Sequence, residues 1–283
     1  MKAVPRHDDL DSAGGSRRTP QQLLIAFFGA MVLDRDRDFI NAQVYLQVLA
    51  DLGVGESAAR ATLSRMVRTG FLHRIQSGRT AAFGLTARAR ELLRHGSDRV
   101  DSPAPFTPTS DDWTLLSYSV PETRRDLRHK LRSQLLWAGF GRLRDGLWIA
   151  PGVVDVDEII AMAGSSESVA VAFAGRPLSG MSPAEFIPAA WDLSQIAAEH
   201  AHFIGTWRHV PPESDPLATY TALVADWLHL LRQAPRLPVS CLPQPWPADE
   251  SVTTFAAATA RLREPANKQL DAMLSAWRTQ VSR

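Results

Sequence analysis

The stretch that most constrains the fold runs from Ser57 to Arg90, where a helical pattern is followed directly by two strand-like runs. Ala59, Leu63 and Met66 recur at helical spacing and define one apolar face. The next run, FLHRIQSGRTAAFGL, contains a Ser-Gly turn and is typical of a β-hairpin. This order predicts a helix that packs through one face, with a hairpin directly behind it.

Positive charge is concentrated in the same stretch. It holds seven arginines and no Asp or Glu in thirty-four residues, whereas the whole chain has a formal net charge of +1. A helical pattern at 41–52 and the turn DLGVGES precede it and complete a helix-turn-helix. Small polar residues and arginines on the outer face of the second helix can reach base edges and phosphates.

These features predict a winged helix-turn-helix that binds double-stranded operator DNA, with the hairpin as a wing whose basic tip contacts phosphates. The predicted contacts are Ser57, Arg60, Ser64, Arg65 and Arg68 in the helix, and Arg74, Arg79 and Thr80 in the wing. The alternative is a solvated basic face, since helix surfaces are often rich in arginine.

Composition indicates two or three domains, because 283 residues with 45% apolar content can bury more than one core. A single cysteine, Cys241, excludes an intramolecular disulfide, so we expect a cytoplasmic location. Cys241 itself is expected to be buried and inert.

An apolar run from Leu23 to Leu33 follows Arg17 and Arg18 and superficially resembles an export signal. The run is too short to cross a bilayer. Thr19-Pro20-Gln21-Gln22 instead predicts a helix start, with Thr19 as N-cap in a capping box. We therefore expect no association with a membrane.

The domain organisation is predicted to be α+β and multidomain. The middle of the chain reads as strand WTLLSYSVP, a charged helix, hairpin FGRLRDGLWIAP, a short helix and strand VAVAFAG. This βαββαβ-like order predicts a ferredoxin-like sandwich. The predicted units are a disordered tail (1–18), the winged helix-turn-helix (19–95), a linker (96–112), the ferredoxin-like domain (113–180) and a helical C-terminal domain (186–283).

The charged central helix has two open interpretations. Its basic residues can form a solvated face that alternates with Leu127, Leu131 and Leu135. They can also hold phosphate, either of flanking DNA or of the nucleotide end of a CoA-like ligand. Candidate effector-binding residues, which combine arginines with aromatic walls, are Arg128, Arg132, Trp137, Trp207, Arg236 and Trp246.

Signatures of catalysis are missing from the sequence. It has no phosphate-cradling glycine loop, nucleophile elbow or zinc signature. His200 and His202 lie two residues apart, so they point to different faces of a helix and are expected to be ordinary helix histidines. We predict no catalytic residues, no metal and no cofactor.

The order of motifs resembles the PaaX family of bacterial transcriptional repressors, named for phenylacetate catabolism. The resemblance is carried by LIAFFGAMV, ARATLSRMVRTGFL, LLWAGFGRLRDGLWIAP, AWDLSQIAAEHAHFIGTW and RLPVSCLPQPWP, which together extend over nearly the whole chain after residue 18. It implies a winged-helix N-domain, a central domain akin to small CRISPR-associated nucleases, a helical C-domain and a homodimer. It also implies an aryl-CoA thioester as the effector.

The first central strand ends at Ser119-Val120-Pro121 without an aspartate, which argues against nuclease activity. A ligand-responsive repressor is thus the predicted function. The alternatives are a metal-dependent nucleic-acid-processing enzyme that uses the central domain, and an effector-independent DNA-binding protein.

Overall fold

The computed structural model describes residues 18–35, 37–77, 80–121, 123–163, 169–210 and 214–281. Its first helix, α1 (Pro20–Met31), begins after Thr19. The Thr19 hydroxyl accepts from the backbone N–H of Gln22 at 3.3 Å, and the Gln22 side-chain oxygen accepts from the Thr19 backbone N–H at 2.8 Å. This reciprocal pair is the predicted capping box, which satisfies two N–H groups that the helix itself leaves open.

The N-terminal part places a small sheet beside four helices. After α1 come β1 (Ile40–Asn41), α2 (Ala42–Asp51), α3 (Glu56–Arg68), β2 (Leu72–Ser77), β3 (Thr80–Leu85) and α4 (Ala87–Val100). The strand order is β1-β3-β2 and both pairings are antiparallel. Strand β1, two residues long, was not predicted. Helix α4 continues to Val100 and therefore occupies the start of the predicted linker (96–112).

The central part is a four-stranded antiparallel sheet whose two helices lie together on one face. Its elements are β4 (Trp113–Ser119), α5 (Arg125–Trp137), β5 (Gly141–Arg144), β6 (Leu147–Pro151), α6 (Val156–Ala163) and β7 (Val169–Gly175). The strand order is β5-β6-β4-β7. Leu127, Leu131 and Leu135 of α5 are buried in the core on one face, as their spacing predicts.

The C-terminal part is helical, as predicted. It consists of α7 (Pro183–Ala190), α8 (Leu193–Trp207), α9 (Pro216–Gln233) and α10 (Ala248–Val281). Helix α7 packs on β5 so closely that a Cβ at Gly141 would lie 2.8 Å from the Ala190 carbonyl oxygen. Residues 234–247, which we call the Pro-rich segment, connect α9 to α10 and contain a short 3-10 turn at Val239–Cys241.

The N-terminal and C-terminal parts share one hydrophobic core. Helix α9 packs against α1 and α2, and buried residues of α1, α2, α3, α8, α9 and α10 form a single cluster. Two ion pairs join the same parts, Arg18 with Asp226 and Arg37 with Asp271, each at 2.6 Å. This arrangement differs from the expectation that each unit buries its own interior.

The segment before β4 is also anchored. Phe106 is only 7% exposed, and its ring centroid lies 4.7 Å from that of His200 and 5.6 Å from that of Trp227. The predicted linker therefore includes a buried aromatic residue that contacts the C-terminal helices. Among the described helices, none has both the length and the apolar character needed to cross a membrane.

Candidate functional site

Helix α3 divides into a buried and an exposed face, as the sequence predicts. Ala59, Leu63 and Met66 are at most 2% exposed and face the core. The predicted DNA contacts on this helix, Ser57, Arg60, Ser64, Arg65 and Arg68, are all exposed. Helix α2 and the turn at 52–55 precede this helix, and the hairpin β2–β3 follows it.

Two arginines of the stretch from Ser57 to Arg90 form ion pairs with carboxylates that lie outside the stretch. Arg60 pairs with Glu56 at 2.7 Å, and Arg90 pairs with Asp38 at 2.9 Å. The charge of these two arginines is therefore partly balanced by neighbouring carboxylates. Arg65, Arg68 and Arg74 pair with no carboxylate among the described residues, which leaves their charge for an external anion.

The hairpin lies directly behind α3. Its strands pair in register from Leu72↔Leu85 to Ser77↔Thr80, and Arg74 is exposed on β2. Arg79 and the side chain of Thr80, two predicted wing contacts, lie outside what the structure describes.

The hairpin is fixed to the core by its return strand. Phe83 and Leu85 are 7% and 4% exposed, and the Tyr45 hydroxyl donates to the Phe83 carbonyl at 3.0 Å. The return strand β3 is thus held against α2.

The effector candidates on α5 lie on an exposed surface of the central domain. Arg132 is exposed, and Arg128 donates to the Val120 carbonyl at 3.0 Å. Trp137 closes α5, and its side chain lies outside the described parts. A solvated face over the buried leucines agrees with this placement.

Trp207 belongs to the shared core rather than to a pocket wall with α5. It is 6% exposed, and its indole N–H donates to Asp226 Oδ2 at 2.9 Å. The Arg18 guanidinium lies 5.7 Å from its ring centroid. The Arg18–Asp226 ion pair thus already engages the polar edge of this residue.

Trp246 lines a small pocket between α8 and the Pro-rich segment. The complete lining is Phe106, Ile196, His200, Ala234, Pro235, Leu237, Val239, Leu242, Trp246 and Ala248. Two of these residues, Phe106 and His200, were missed as site residues. Phe106 lies in a predicted linker, and His200 had no sequence partner to distinguish it.

Two arginines flank this pocket. Arg236 Nε donates to the Pro105 carbonyl at 3.3 Å, and Arg99 donates to the same carbonyl at 3.1 Å and to that of Ala234 at 2.7 Å. Burial, and secondly the charge of Arg236, lower the pKa of Arg99 to about 10. Neither guanidinium has a carboxylate partner within the described ranges.

His200 provides the most buried ionisable group of the pocket. The residue is 1% exposed, and its Nδ1 lies 2.8 Å from Ser251 Oγ on α10. Its Nε2 is buried and has no hydrogen-bond partner among the described residues. Burial lowers the pKa of His200 to about 4, so the ring is neutral at pH 7.

A metal site is not supported by the geometry. His200 is buried whereas His202 on the same helix is exposed, as expected for positions two apart. The part of the chain that the structure describes contains no group of three His, Cys, Asp or Glu residues that could hold a metal ion. Cys241, expected to be buried, is half-buried.

Comparison of the chain with protein families matches three models in succession. A PaaX-like protein model covers residues 19–89, the PaaX protein central Cas2-like domain covers 107–187, and the PaaX-like protein C-terminal domain covers 191–272. The chain belongs to the PaaX family. The resemblance inferred from the sequence motifs is confirmed, and the central sheet of this PaaX family member fits a Cas2-like domain.

Among characterised proteins, the chain is 27% identical over 214 residues to the transcriptional repressor PaaX of Escherichia coli (strain K12). The alignment spans 70% of this chain and 66% of that repressor, just under two thirds of its length. Uncharacterized protein Rv0674 from Mycobacterium tuberculosis has a similar fold, with a TM-score of 0.55 at 23% identity, over 88% of this chain and 98% of that one.

Proposed function

We propose that this PaaX family member is a transcriptional repressor that binds operator DNA as a homodimer and is released by a small-molecule effector. The observation that carries the DNA-binding part is the outer face of α3. It exposes Ser57, Ser64, Arg65 and Arg68 together, while its other face is fixed in the core. A firmly packed helix with such a face can enter a major groove as a unit.

The N-terminal elements support the proposal that the DNA-binding part is a winged helix-turn-helix. Helices α2 and α3 are joined by a short turn, and an antiparallel hairpin follows with Arg74 exposed. In such an arrangement the second helix reads base edges and the hairpin holds phosphate. Arg79, at the connection of the two strands, is proposed as a second phosphate contact of the wing.

The central elements support the proposal that the Cas2-like domain is a ferredoxin-like sandwich. Their βαββαβ order and antiparallel strand order β5-β6-β4-β7 are those of this fold. Strand β4 ends at Ser119, and neither of the next two residues, Val120 and Pro121, supplies a carboxylate for a nuclease reaction.

The edge strand β7 supports the proposal of a homodimer. It pairs with β4 on one side only, and Val171 and Phe173 are 48% and 70% exposed. Residues 169–175 carry no charge and no proline, the usual devices that prevent edge pairing. Antiparallel pairing of β7 with its copy joins two four-stranded sheets about a twofold axis, which suits a palindromic operator.

The effector class follows from the family resemblance, which points to an acyl- or aryl-CoA thioester. Such an effector releases DNA if it binds better to a dimer whose two α3 helices no longer match the half-site spacing. The exposed basic face of α5 is proposed to hold phosphate, either of the nucleotide end of such a CoA thioester or of flanking DNA. Because the protein acts on DNA, we also infer a cytoplasmic location.

Footprinting of the purified protein on the DNA upstream of its own gene tests the proposal. We expect a protected palindromic site with half-sites about one helical turn apart, and competition by random DNA only at large excess. Protection by an Arg65→Ala, Arg68→Ala double variant equal to that of the wild type would show that α3 does not read the operator.

A further inference from the structure

The face of the central sheet that α5 and α6 cover carries polar side chains at its β5 side. In the antiparallel pairing, Arg142 of β5 lies opposite Trp148 of β6, and Trp148 lies opposite Leu116 of β4. Residues directly opposite each other share a face, and Tyr118, two positions after Leu116, returns to it. Leu116 and Trp148 are buried with the leucines of α5, and Tyr118 packs against them. Arg142 and Tyr118 are therefore both neighbours of Trp148 on the side of α5.

Tyr118 presents its hydroxyl next to the Trp148 indole. The two rings are stacked, with centroids 6.3 Å apart and an interplanar angle of 23°. The Trp148 N–H forms a hydrogen bond to the Tyr118 side chain. Because an indole only donates, the Tyr118 oxygen is the acceptor, and its own O–H hydrogen is left for another group. Tyr118 forms no other hydrogen bond with a side chain of the described residues.

Helix α5 brings two arginines to the same place. Arg128 and Arg132 lie one turn apart on one flank of the helix, next to the leucines that face the sheet. The Arg128 guanidinium donates to the Val120 carbonyl at 3.0 Å, which holds it beside the end of β4, two residues beyond Tyr118. Burial raises the pKa of Tyr118, and these two arginines act against the rise together with Arg142. Three guanidinium groups thus lie around one O–H donor.

Carboxylates do not balance this positive charge. Arg142 pairs with Asp145 at 3.2 Å, but the Asp145 side chain is 100% exposed, and such surface pairs contribute little. Arg128 and Arg132 are exposed and pair with no carboxylate among the residues that the structure describes. The three arginines can therefore turn to an external anion without breaking a strong ion pair, and the Tyr118 O–H adds an uncharged donor to them.

This donor set fits a phosphate monoester better than other anions. A phosphate monoester presents three terminal oxygens and carries about two negative charges at pH 7. A carboxylate, and the phosphodiester of a DNA backbone, each offer two such oxygens and a single charge. Three guanidinium groups and an O–H donor can satisfy three oxygens at once, and guanidinium groups pair well with phosphate. Tyr118 is half-buried whereas the arginines around it are exposed, so a phosphate at the end of a small molecule reaches it more readily than a phosphate within a duplex.

We propose that Tyr118, Arg128, Arg132 and Arg142 bind a phosphate monoester carried by a small molecule, with one phosphate oxygen accepting from the Tyr118 hydroxyl. The inference deepens the phosphate-holding role of α5 and rests on the proposed function only for its regulatory consequence, because the binding step requires no DNA.

Packed helices connect the phosphate site to the DNA-binding part. Helix α5 contacts α9, and α9 packs against α1 and α2. A ligand on α5 that prefers one arrangement of these helices shifts the population of dimers that are competent to bind DNA.

Nuclear magnetic resonance titration of the full chain without DNA tests the binding step at Trp148, whose indole signal is assigned by its loss in Trp148→Phe. Three probes share an aromatic ring and are compared at constant ionic strength. Phenyl phosphate is a monoester, methyl phenyl phosphate is the corresponding diester, and benzoate is a carboxylate. We expect phenyl phosphate to shift the Trp148 signal saturably and to bind about tenfold more tightly than the other two, the ratio for one additional hydrogen bond to a charged group. Equal affinities for the three probes, or no saturable shift with phenyl phosphate, would overturn the proposal.

Variants assign the binding to these side chains. Tyr118→Phe keeps the stacked ring and removes only the O–H, so the affinity for phenyl phosphate should fall about tenfold while the fold is retained. Arg132→Gln removes an exposed charge without a carboxylate partner among the described residues, and it should cause a similar loss. Arg125→Gln is the matched control, because Arg125 is also exposed on α5 but its charge does not act on Tyr118. Wild-type affinity in both Tyr118→Phe and Arg132→Gln, or an equal loss in Arg125→Gln, contradicts the assignment.

Two comparisons identify the source of the phosphate. CoA and dephospho-CoA differ by one phosphate monoester, so tighter binding of CoA supports the proposed effector as the source, and equal affinities overturn that source. If Tyr118→Phe weakens binding to a random DNA duplex as much as binding to phenyl phosphate, the site holds DNA and the proposal is wrong.

Operator binding, measured with and without saturating CoA, separates the phosphate site from the regulatory role. If the protein binds no operator, the proposed function fails while the titration result stands. An operator complex that persists unchanged at saturation contradicts the regulatory role of the site.

Discussion

The guanidinium of Arg18 and the carboxylate of Asp226 form a bidentate ion pair, with contacts of 2.7 and 2.6 Å, between the start of α1 and the middle of α9. Asp226 also accepts from the Trp207 indole. One carboxylate thus joins the N-terminal helix to two C-terminal helices. This carboxylate therefore contributes to the contact between the N-terminal part and the C-terminal helices.

Replacement of Asp226 by Asn should lower stability by about 2 kcal/mol, because it leaves a half-buried guanidinium without its counter-charge. A drop in Tm of about 5 °C is the expected readout in a thermal scan. Glu264→Gln is the control, since Glu264 and its partner Lys268 are both 76% exposed and such surface pairs contribute little. Equal drops in Tm for the two variants would show that the Asp226 network contributes no more stability than an exposed ion pair.

Arg65→Ala should weaken binding to the mapped operator by about 1–3 kcal/mol if the side chain reads a base, with Tm nearly unchanged. The reason is its exposed position on α3 without a carboxylate partner among the described residues. Gel-shift titration gives the affinities. Arg94→Ala removes an equally exposed arginine that pairs with Asp34, and it should bind like the wild type. An unaltered affinity in Arg65→Ala refutes base reading by this residue.

Local features of the fold could be predicted from the sequence because they depend on neighbours in the chain. Thr19 and Gln22 form a capping box within one turn, and the apolar spacing of α3 decides which face is buried. The shared core of α1 and α9 could not be predicted in this way. It joins residues about two hundred positions apart, and both helices show an ordinary apolar stripe that any partner could cover.

The candidate functional residues also differ in how far the sequence alone predicts them. The exposed face of α3 follows from periodicity and charge, which are sequence properties. The pocket depends on Phe106, His200 and Trp246, which three separate segments bring together. No spacing rule relates them, and a histidine with one unpaired nitrogen can be recognised only when its surroundings are known.

Arg74→Ala should weaken binding to operator and to random DNA alike, because the exposed guanidinium on β2 is placed to meet phosphate rather than a base. The slope of log affinity against log salt concentration should become shallower by about one unit. Fluorescence anisotropy from 50 to 300 mM salt provides the slopes. A wild-type slope in this variant counts against contact between the wing and DNA.

His200 should make stability depend on pH in a defined window. Its pKa is about 4 in the folded chain and about 6.5 in an unfolded one, so the unfolded state takes up a proton that the folded state does not. The stabilisation is complete above pH 6.5 and is lost as the pH falls toward 4. Between pH 7 and pH 4.5, denaturant unfolding should show a loss about 2 kcal/mol larger in wild type than in His200→Phe. His202→Phe should retain the wild-type difference.

Phe173→Lys should convert the proposed dimer to a monomer without destabilising the fold. The side chain is 70% exposed on the edge strand β7, so a charge there costs little in the monomer but opposes strand pairing between two copies. Light scattering coupled to gel filtration measures the mass, and Leu178→Lys, exposed beyond the strand, is the control. Operator affinity should fall in the monomeric variant, because each α3 then binds a half-site alone. A dimer of unchanged mass with Phe173→Lys would place the interface elsewhere.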